Sequence, residues 1–260
     1  MASQRWSSDM CAYPSNCGVD DIGMLCRACS VRLLTIKGRY KYNLTELRGY
    51  SHRHDHTMVT SAIKSTSGKD SPVPGLDLNV VKIFALTTSN ESYPSKENTR
   101  GKLLLFHGTH AFRVPSILRE GFQFKGVIHG RKQGPGVYFT SAACLAADFC
   151  RSRFEGSMSY LIACEIDCDD LCVVRTEEEK SDAIAKAHPV TKYIGVYGGN
   201  EGYLLSDSKN RNYFYAGAFD NTQTELPTSR GVTEYVVRDL NRIKPRYLVQ
   251  LVINSDFQYP

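Results

Sequence analysis

The sequence predicts an α+β protein with a mainly antiparallel sheet, on three observations. Short apolar runs of strand length recur from about residue 75 onward, separated by stretches rich in Gly, Pro, Ser and Asn. Helical spacing is confined to a few brief segments. The last two strand candidates, 234–238 and 246–253, are separated only by a turn containing Lys244-Pro245.

The elements follow in order. Residues 78–86 (LNVVKIFAL) form a strand candidate, and 87–100 a polar loop. Lys102-Leu103-Leu104-Leu105-Phe106 is an apolar strand ending in His107-Gly108-Thr109. Residues 111–120 have helical character and close on Gly121. A glycine-rich turn over 129–136 leads into the short strand Val137-Tyr138-Phe139. Residues 141–151 have helical spacing, with Ala142, Leu145, Ala146 and Phe149 on one side. Strands are expected over 160–166 and 171–175, and a charged helix over 176–187. There is no internal repeat.

Residues 1–56 read as a small appendage and 57–74, rich in Ser, Thr, Lys, Gly and Pro, as a linker to a domain over 75–260. The appendage carries Cys11, Cys17, Cys26 and Cys29. Cys26-Arg27-Ala28-Cys29 has the spacing of a zinc knuckle, whereas the looser spacing of the other two fits no standard finger. A structural zinc and a set of ordinary thiols are both open readings. His52-Arg53-His54-Asp55-His56 reads as a solvated loop, and residues 32–42, where basic and aromatic residues interleave, as a solvated strand or hairpin in preference to a stretch that touches nucleic acid by phosphate contact and stacking. Cys164, Cys168 and Cys172 recur every fourth residue on strand candidates and read as buried thiols on one face, with Cys144 and Cys150 as packing residues of the preceding helix.

With 260 residues, 42% of them hydrophobic, the chain has material for a sizeable core. A net charge of +5 permits contact with phosphates but falls short of the footprint of a dedicated nucleic-acid binder. No run is long and apolar enough to span a membrane, and the first 25 residues have no apolar core of a signal peptide. Nine cysteines without an even framework point to an intracellular, reducing compartment, the cytoplasm or nucleus.

Three polar residues mark separate strand candidates. His107 ends one, Tyr138 lies within a second and Glu234 starts a third. Singly, each is as well read as a core histidine, a core tyrosine and a strand-edge glutamate. Taken in order, Leu104-Leu105-Phe106-His107-Gly108-Thr109, Gly134-Pro135-Gly136-Val137-Tyr138-Phe139 and Thr233-Glu234-Tyr235-Val236-Val237-Arg238-Asp239 resemble the poly(ADP-ribose) polymerase family. The likeness is to its diphtheria-toxin-like catalytic domain with a His-Tyr-Glu triad, and it covers residues 75–258.

The resemblance implies two packed, mainly antiparallel sheets flanked by short helices, the ADP-ribosyltransferase fold. It implies NAD as co-substrate and transfer of ADP-ribose to an acceptor, with release of nicotinamide. His107 would bond the adenosine ribose, and Gly108 would take the carboxamide on its backbone, with Thr109 assisting. Tyr138 and Phe149 would offer ring faces to the nicotinamide. Glu234 would bond the nicotinamide-ribose hydroxyl and stabilise the oxocarbenium ion. Because the pyridinium leaves as a neutral group, one carboxylate suffices where glycosidases use two. No metal is required. Ala146 departs from the family's Ser and lacks the hydroxyl that would bond the carboxamide, which costs about 0.5–1.5 kcal/mol. A short donor loop over 122–133 points to mono-ADP-ribosylation, whereas a Glu in the third triad position is associated in the family with chain elongation, so a single unit is favoured and a polymer stays open. A protein is the expected acceptor, with nucleic acid less well supported. An NAD glycohydrolase or toxin, and a catalytically weak NAD- or ADP-ribose-binding module, are the competing readings.

Overall fold

The computed structural model describes residues 41–67, 76–88, 101–123, 132–150, 158–195, 203–206, 212–215 and 231–255. Its strands are β1 (Asn43–Glu46), β2 (Leu76–Thr87), β3 (Lys102–Gly108), β4 (Val137–Thr140), β5 (Met158–Asp167), β6 (Leu171–Val174), β7 (Val190–Tyr193), β8 (Tyr203–Ser206), β9 (Asn212–Tyr215), β10 (Glu234–Val237) and β11 (Ile243–Ser255). Its α-helices are α1 (Arg53–Lys64), α2 (Val114–Glu120), α3 (Ala143–Asp148) and α4 (Glu177–Ala185).

The strands hydrogen-bond in the order β1-β2-β11-β5-β3-β4-β10-β7-β6. All neighbours are antiparallel except β6 and β7. The hairpin β8–β9 joins the edge of β3 in parallel, at Leu103 opposite Phe214. Between β3 and β4 the ladder narrows to one pair, Phe106 opposite Thr140. Either side of that joint the two halves fold over one another. Phe139, Tyr235 and Val237 from one half share a core with Leu105, Ile162, Cys164 and Leu248 from the other. The expected α+β architecture of two packed, mainly antiparallel layers is therefore present, joined at a single residue pair.

The apolar runs make physical sense in this arrangement. β5 is central, so both of its faces are covered and its sequence does not alternate. Tyr160, Ile162, Cys164 and Ile166 face the core between the halves, with α2 closing it through Val114 and Leu118. Leu161 and Ala163 face the other way, under α1 and α3. Glu165 breaks the apolar run, and Arg246 compensates it. The register slips between Pro245 and Tyr247, so Arg246 is the extra residue of a bulge. Its Nε and Nη2 donate to Glu165 Oε2 at 2.9 and 2.8 Å.

Several elements differ from the sequence reading. Residues 57–64, read as linker, belong to α1, whose Val59, Ala62 and Ile63 are fully buried. The His-Arg-His-Asp-His tract is the entry to that helix rather than a loop, and Asp55 within it is buried. Lys244-Pro245 lies inside β11, and the turn before it is a 3-10 helix, Leu240–Arg242, capped by the Asp239 side chain. Strands β1, β7, β8 and β9 had no counterpart among the expected elements. Cys164 and Cys168 share one core, but Cys172 borders another, so the three do not line one face. Cys144 and Cys150 are buried, as expected of packing residues. Cys11, Cys17, Cys26 and Cys29 lie outside the described residues. Among the described residues no group of side chains is arranged to hold a metal ion.

Candidate active site

β4 brings the three marked strands together. On one side it meets β3 at Phe106, next to His107, and on the other it pairs with β10, where Glu234 stands opposite the same Thr140. With neighbouring strands about 4.8 Å apart, the backbones of His107 and Glu234 lie roughly 10 Å from each other. Tyr138 and Glu234 share a face of their half-sheet, because Tyr138 pairs with Val236 and Glu234 with Thr140.

His107 contacts the tyrosine through its main chain. Its Nδ1 lies 2.8 Å from the carbonyl oxygen of Tyr138. A carbonyl only accepts, so Nδ1 carries the proton and Nε2 keeps its lone pair. The ring packs edge-on against Phe122, centroids 5.0 Å apart, and against Phe139 at 5.5 Å. Burial pushes its pKa down to about 4, so it is a neutral acceptor across the physiological range.

Tyr138 presents a ring face and a fully engaged hydroxyl. Its OH donates to the Gly134 carbonyl at 2.7 Å and accepts the Gln133 N–H at 3.0 Å. Burial raises its pKa well above the ordinary tyrosine value, and the nearby Glu234 charge adds to this. The hydroxyl is therefore a fixed strut rather than a proton carrier. The turn that it braces depends on glycine. Gly134 has φ +83°, and a Cβ on Gly136 (φ +150°) would collide with Val236 of β10.

Gly108, Thr109, Ala146 and Phe149 form an adjoining corner. A Cβ on Gly108 would collide with the carbonyl oxygen of Ala146, so the absence of a side chain there is required by the approach of α3. Ala146 is buried, as is the whole of α3 from Ala143 to Ala147. Phe149 is not on the buried side with Leu145 and Ala146: it caps the helix and is 41% exposed, leaving a ring surface available to a ligand. Thr109 is buried, and its backbone meets the Cys150 sulfur, which ties the end of β3 to the end of α3.

Glu234 is 4% exposed at the start of β10. Its backbone position is pinned from both sides. Thr140 Oγ1 donates to the Thr233 carbonyl at 3.1 Å, and the Gly195 N–H donates to Thr233 Oγ1 at 3.0 Å.

A group of polar residues that bonds the turn behind the tyrosine has no counterpart in the sequence reading. Gln133, Tyr193 and Arg238 meet at the Gln133 carbonyl, which accepts from Arg238 Nη2 at 3.1 Å and from Tyr193 OH at 3.3 Å. The period-two alternation of a strand was the available signal, since it puts Arg238 on the face of Glu234 and Val236.

The arrangement can hold a flat ring against Phe149 or Tyr138, and offers an acceptor at His107 Nε2 and a buried carboxylate at Glu234.

The family model of the poly(ADP-ribose) polymerase catalytic domain matches residues 53–253, a span that includes α1. The chain is 23% identical to poly [ADP-ribose] polymerase 2 of Zea mays over 77% of its length and 31% of that protein's. It is 22% identical to poly [ADP-ribose] polymerase 2 of Arabidopsis thaliana, over 77% of this chain and 32% of the relative. Against poly [ADP-ribose] polymerase 2 of Caenorhabditis elegans it is 24% identical, over 80% of this chain and 38% of the relative. The chain thus spans about a third of the length of these curated relatives. With the matched span covering the whole β3–β4–β10 assembly, the chain belongs to the poly(ADP-ribose) polymerase catalytic domain family.

Proposed function

We propose that the chain transfers ADP-ribose from NAD to a protein side chain and releases nicotinamide. The observation that carries this reading is the position of β4, which sets His107 on one neighbouring strand and Glu234 on the other, with Tyr138 between them. In this reading His107 Nε2 accepts a ribose hydroxyl, while Gly108 holds the carboxamide through its backbone, with the Thr109 hydroxyl assisting. Phe149 and Tyr138 bracket the nicotinamide ring, a contact worth on the order of 1–3 kcal/mol by analogy with base stacking. Glu234 accepts a hydrogen bond from the ribose next to the scissile bond, and its charge stabilises the cation that forms as nicotinamide departs. The same carboxylate then orients the acceptor nucleophile.

The product proposed is a single ADP-ribose unit, supported by the short donor loop over 122–133 and by Ala146 in place of a hydroxyl residue. The acceptor is read as a protein rather than nucleic acid, in keeping with a net charge of only +5. An intracellular setting is supported by the free thiols Cys150, Cys164, Cys168 and Cys172. No helix among the described residues is long and apolar enough to cross a membrane.

The test is incubation with labelled NAD and a cell lysate, comparing the native chain with Glu234→Gln. Native protein is expected to release nicotinamide and label discrete bands. The variant should lose about a hundredfold or more of both, as removal of one preorganised electrostatic group does elsewhere. Full transfer by Glu234→Gln removes the role given to the carboxylate. Free ADP-ribose as the sole product replaces the transferase with a glycohydrolase.

A further inference from the structure

We propose that Arg238 is a positioning residue for Tyr138, acting through the turn that precedes β4. The inference rests on the transferase reading, and extends it to a residue that touches neither substrate nor reacting atoms. Arg238 directly follows β10, four residues after Glu234. Its guanidinium spreads across three parts of the chain. Nη1 donates to the carbonyl of His188 at 3.2 Å and to Thr191 Oγ1 at 2.8 Å. Nη2 donates to the carbonyl of Gln133 and to Tyr193 OH, both at 3.1 Å. Tyr193 OH in turn donates to the Gln133 carbonyl at 3.3 Å.

The residue so clamped is the one that holds the tyrosine. The Gln133 N–H donates to Tyr138 OH, and Tyr138 OH donates to the neighbouring carbonyl of Gly134. Gln133 does not anchor itself by other means. Its side chain is fully buried, and among the described residues its amide nitrogen and oxygen have no hydrogen-bond partner. Gly134, which follows it, supplies no side-chain packing and sits in a left-handed conformation that leaves the turn free to relax. Arg238 and Tyr193 therefore hold the turn in the conformation that presents Gln133 N–H and Gly134 C=O to the phenol. All four acceptors of Arg238 are neutral oxygens, two carbonyls and two hydroxyls, so the guanidinium serves as a multidentate strut rather than as half of an ion pair.

If Arg238 is such a strut, its loss lets Tyr138 rotate without removing any group that contacts NAD. The experiment uses the full chain with Arg238→Ala, Arg238→Lys and Tyr193→Phe. Three quantities are read: affinity for an unhydrolysable NAD analogue by calorimetry, KM and kcat for nicotinamide release, and hydrogen exchange at the Gln133 amide. Arg238→Ala is expected to weaken analogue binding and raise KM about tenfold, the effect of losing a charge-assisted hydrogen bond, with a smaller change in kcat. The Gln133 amide should exchange faster. Arg238→Lys should fall between, because one ammonium cannot span all four acceptors. Tyr193→Phe keeps the ring volume and should move the same quantities in the same direction, which serves if Arg238→Ala does not fold. Native-like affinity, KM and Gln133 protection, with only a lower melting temperature, overturns the proposal. If the native chain neither binds the analogue nor turns over NAD, the transferase reading falls and takes this one with it. If the native chain does both and the variants match it, only this inference falls.

Discussion

The pKa of His107 is pushed down to about 4 chiefly by burial, with the Arg113 charge adding to the shift and the Tyr138 carbonyl opposing it. The consequence for pH is definite in sign. An unfolded histidine titrates near 6.5, so between about 6.5 and 4 the unfolded chain binds a proton that the folded chain refuses. The contribution of His107 to stability is present above that window and is lost as pH falls through it. Its slope is at most about 1.4 kcal/mol per pH unit. Urea midpoints of the native chain and His107→Gln at pH 7.5 and pH 5 check this. The native chain should lose more stability on acidification than the variant does, and equal losses would count against a neutral, enclosed ring. Ligand affinity should show no inflection from His107 until the pH approaches 4. That distinguishes a ribose acceptor from a histidine that works as a cation.

At the scale of elements, the contrast between α3 and α4 shows where local sequence stops being informative. α4 carries its own start signal. Thr176 and Glu179 form a capping box, each side chain bonding the other's backbone N–H. α3 has Ala142 at the corresponding position and no cap of its own. Its first N–H is satisfied from elsewhere: Ala143 donates to Thr66 Oγ1 at 2.9 Å, across 77 residues of chain. Thr66 follows α1 and is itself buried, donating to the Ile63 carbonyl. The end of α1 therefore sets the start of the helix whose Ala146 carbonyl lies against Gly108. Thr66→Ala should leave a buried N–H without a partner and cost about 1–2 kcal/mol, whereas Thr66→Ser should retain most of the stability. Chemical denaturation of the two variants is the measurement, and equal stability for Ala and Ser would remove the cap from the account.

Across the whole molecule, what could be read in the sequence follows the degree of burial. β3, β5 and β11 run through the centre, so their sequences are long apolar runs that stand out without any structural knowledge. β1 and β7 are four-residue strands of mixed polarity, and nothing local separates them from loop. The site divides in the same way. His107, Tyr138 and Glu234 were visible because strand ends and motif order mark them, while Gln133 and Tyr193 function through bonds that only the folded chain creates. The largest misreading was at residues 57–64, where four of the eight residues are Ser, Thr or Lys and obscure the helical spacing of Met58, Val59, Ala62 and Ile63. Those four side chains cover the face of the sheet that bears Leu104, Leu161 and Val249. Their burial contributes on the order of 5 kcal/mol, a large part of the 5–15 kcal/mol that holds a typical domain folded. A boundary before α1, rather than at residue 75, is therefore expected. A chain of residues 75–260 should lack both α1 and the Thr66 cap, expose that face, and fail to show the cooperative urea transition of the full chain. Circular dichroism through a urea titration, with limited proteolysis of each chain, decides the matter. A cooperative transition at the same midpoint for 75–260 would mean that α1 is a passenger, and that the sheet and the site at β3, β4 and β10 stand without it.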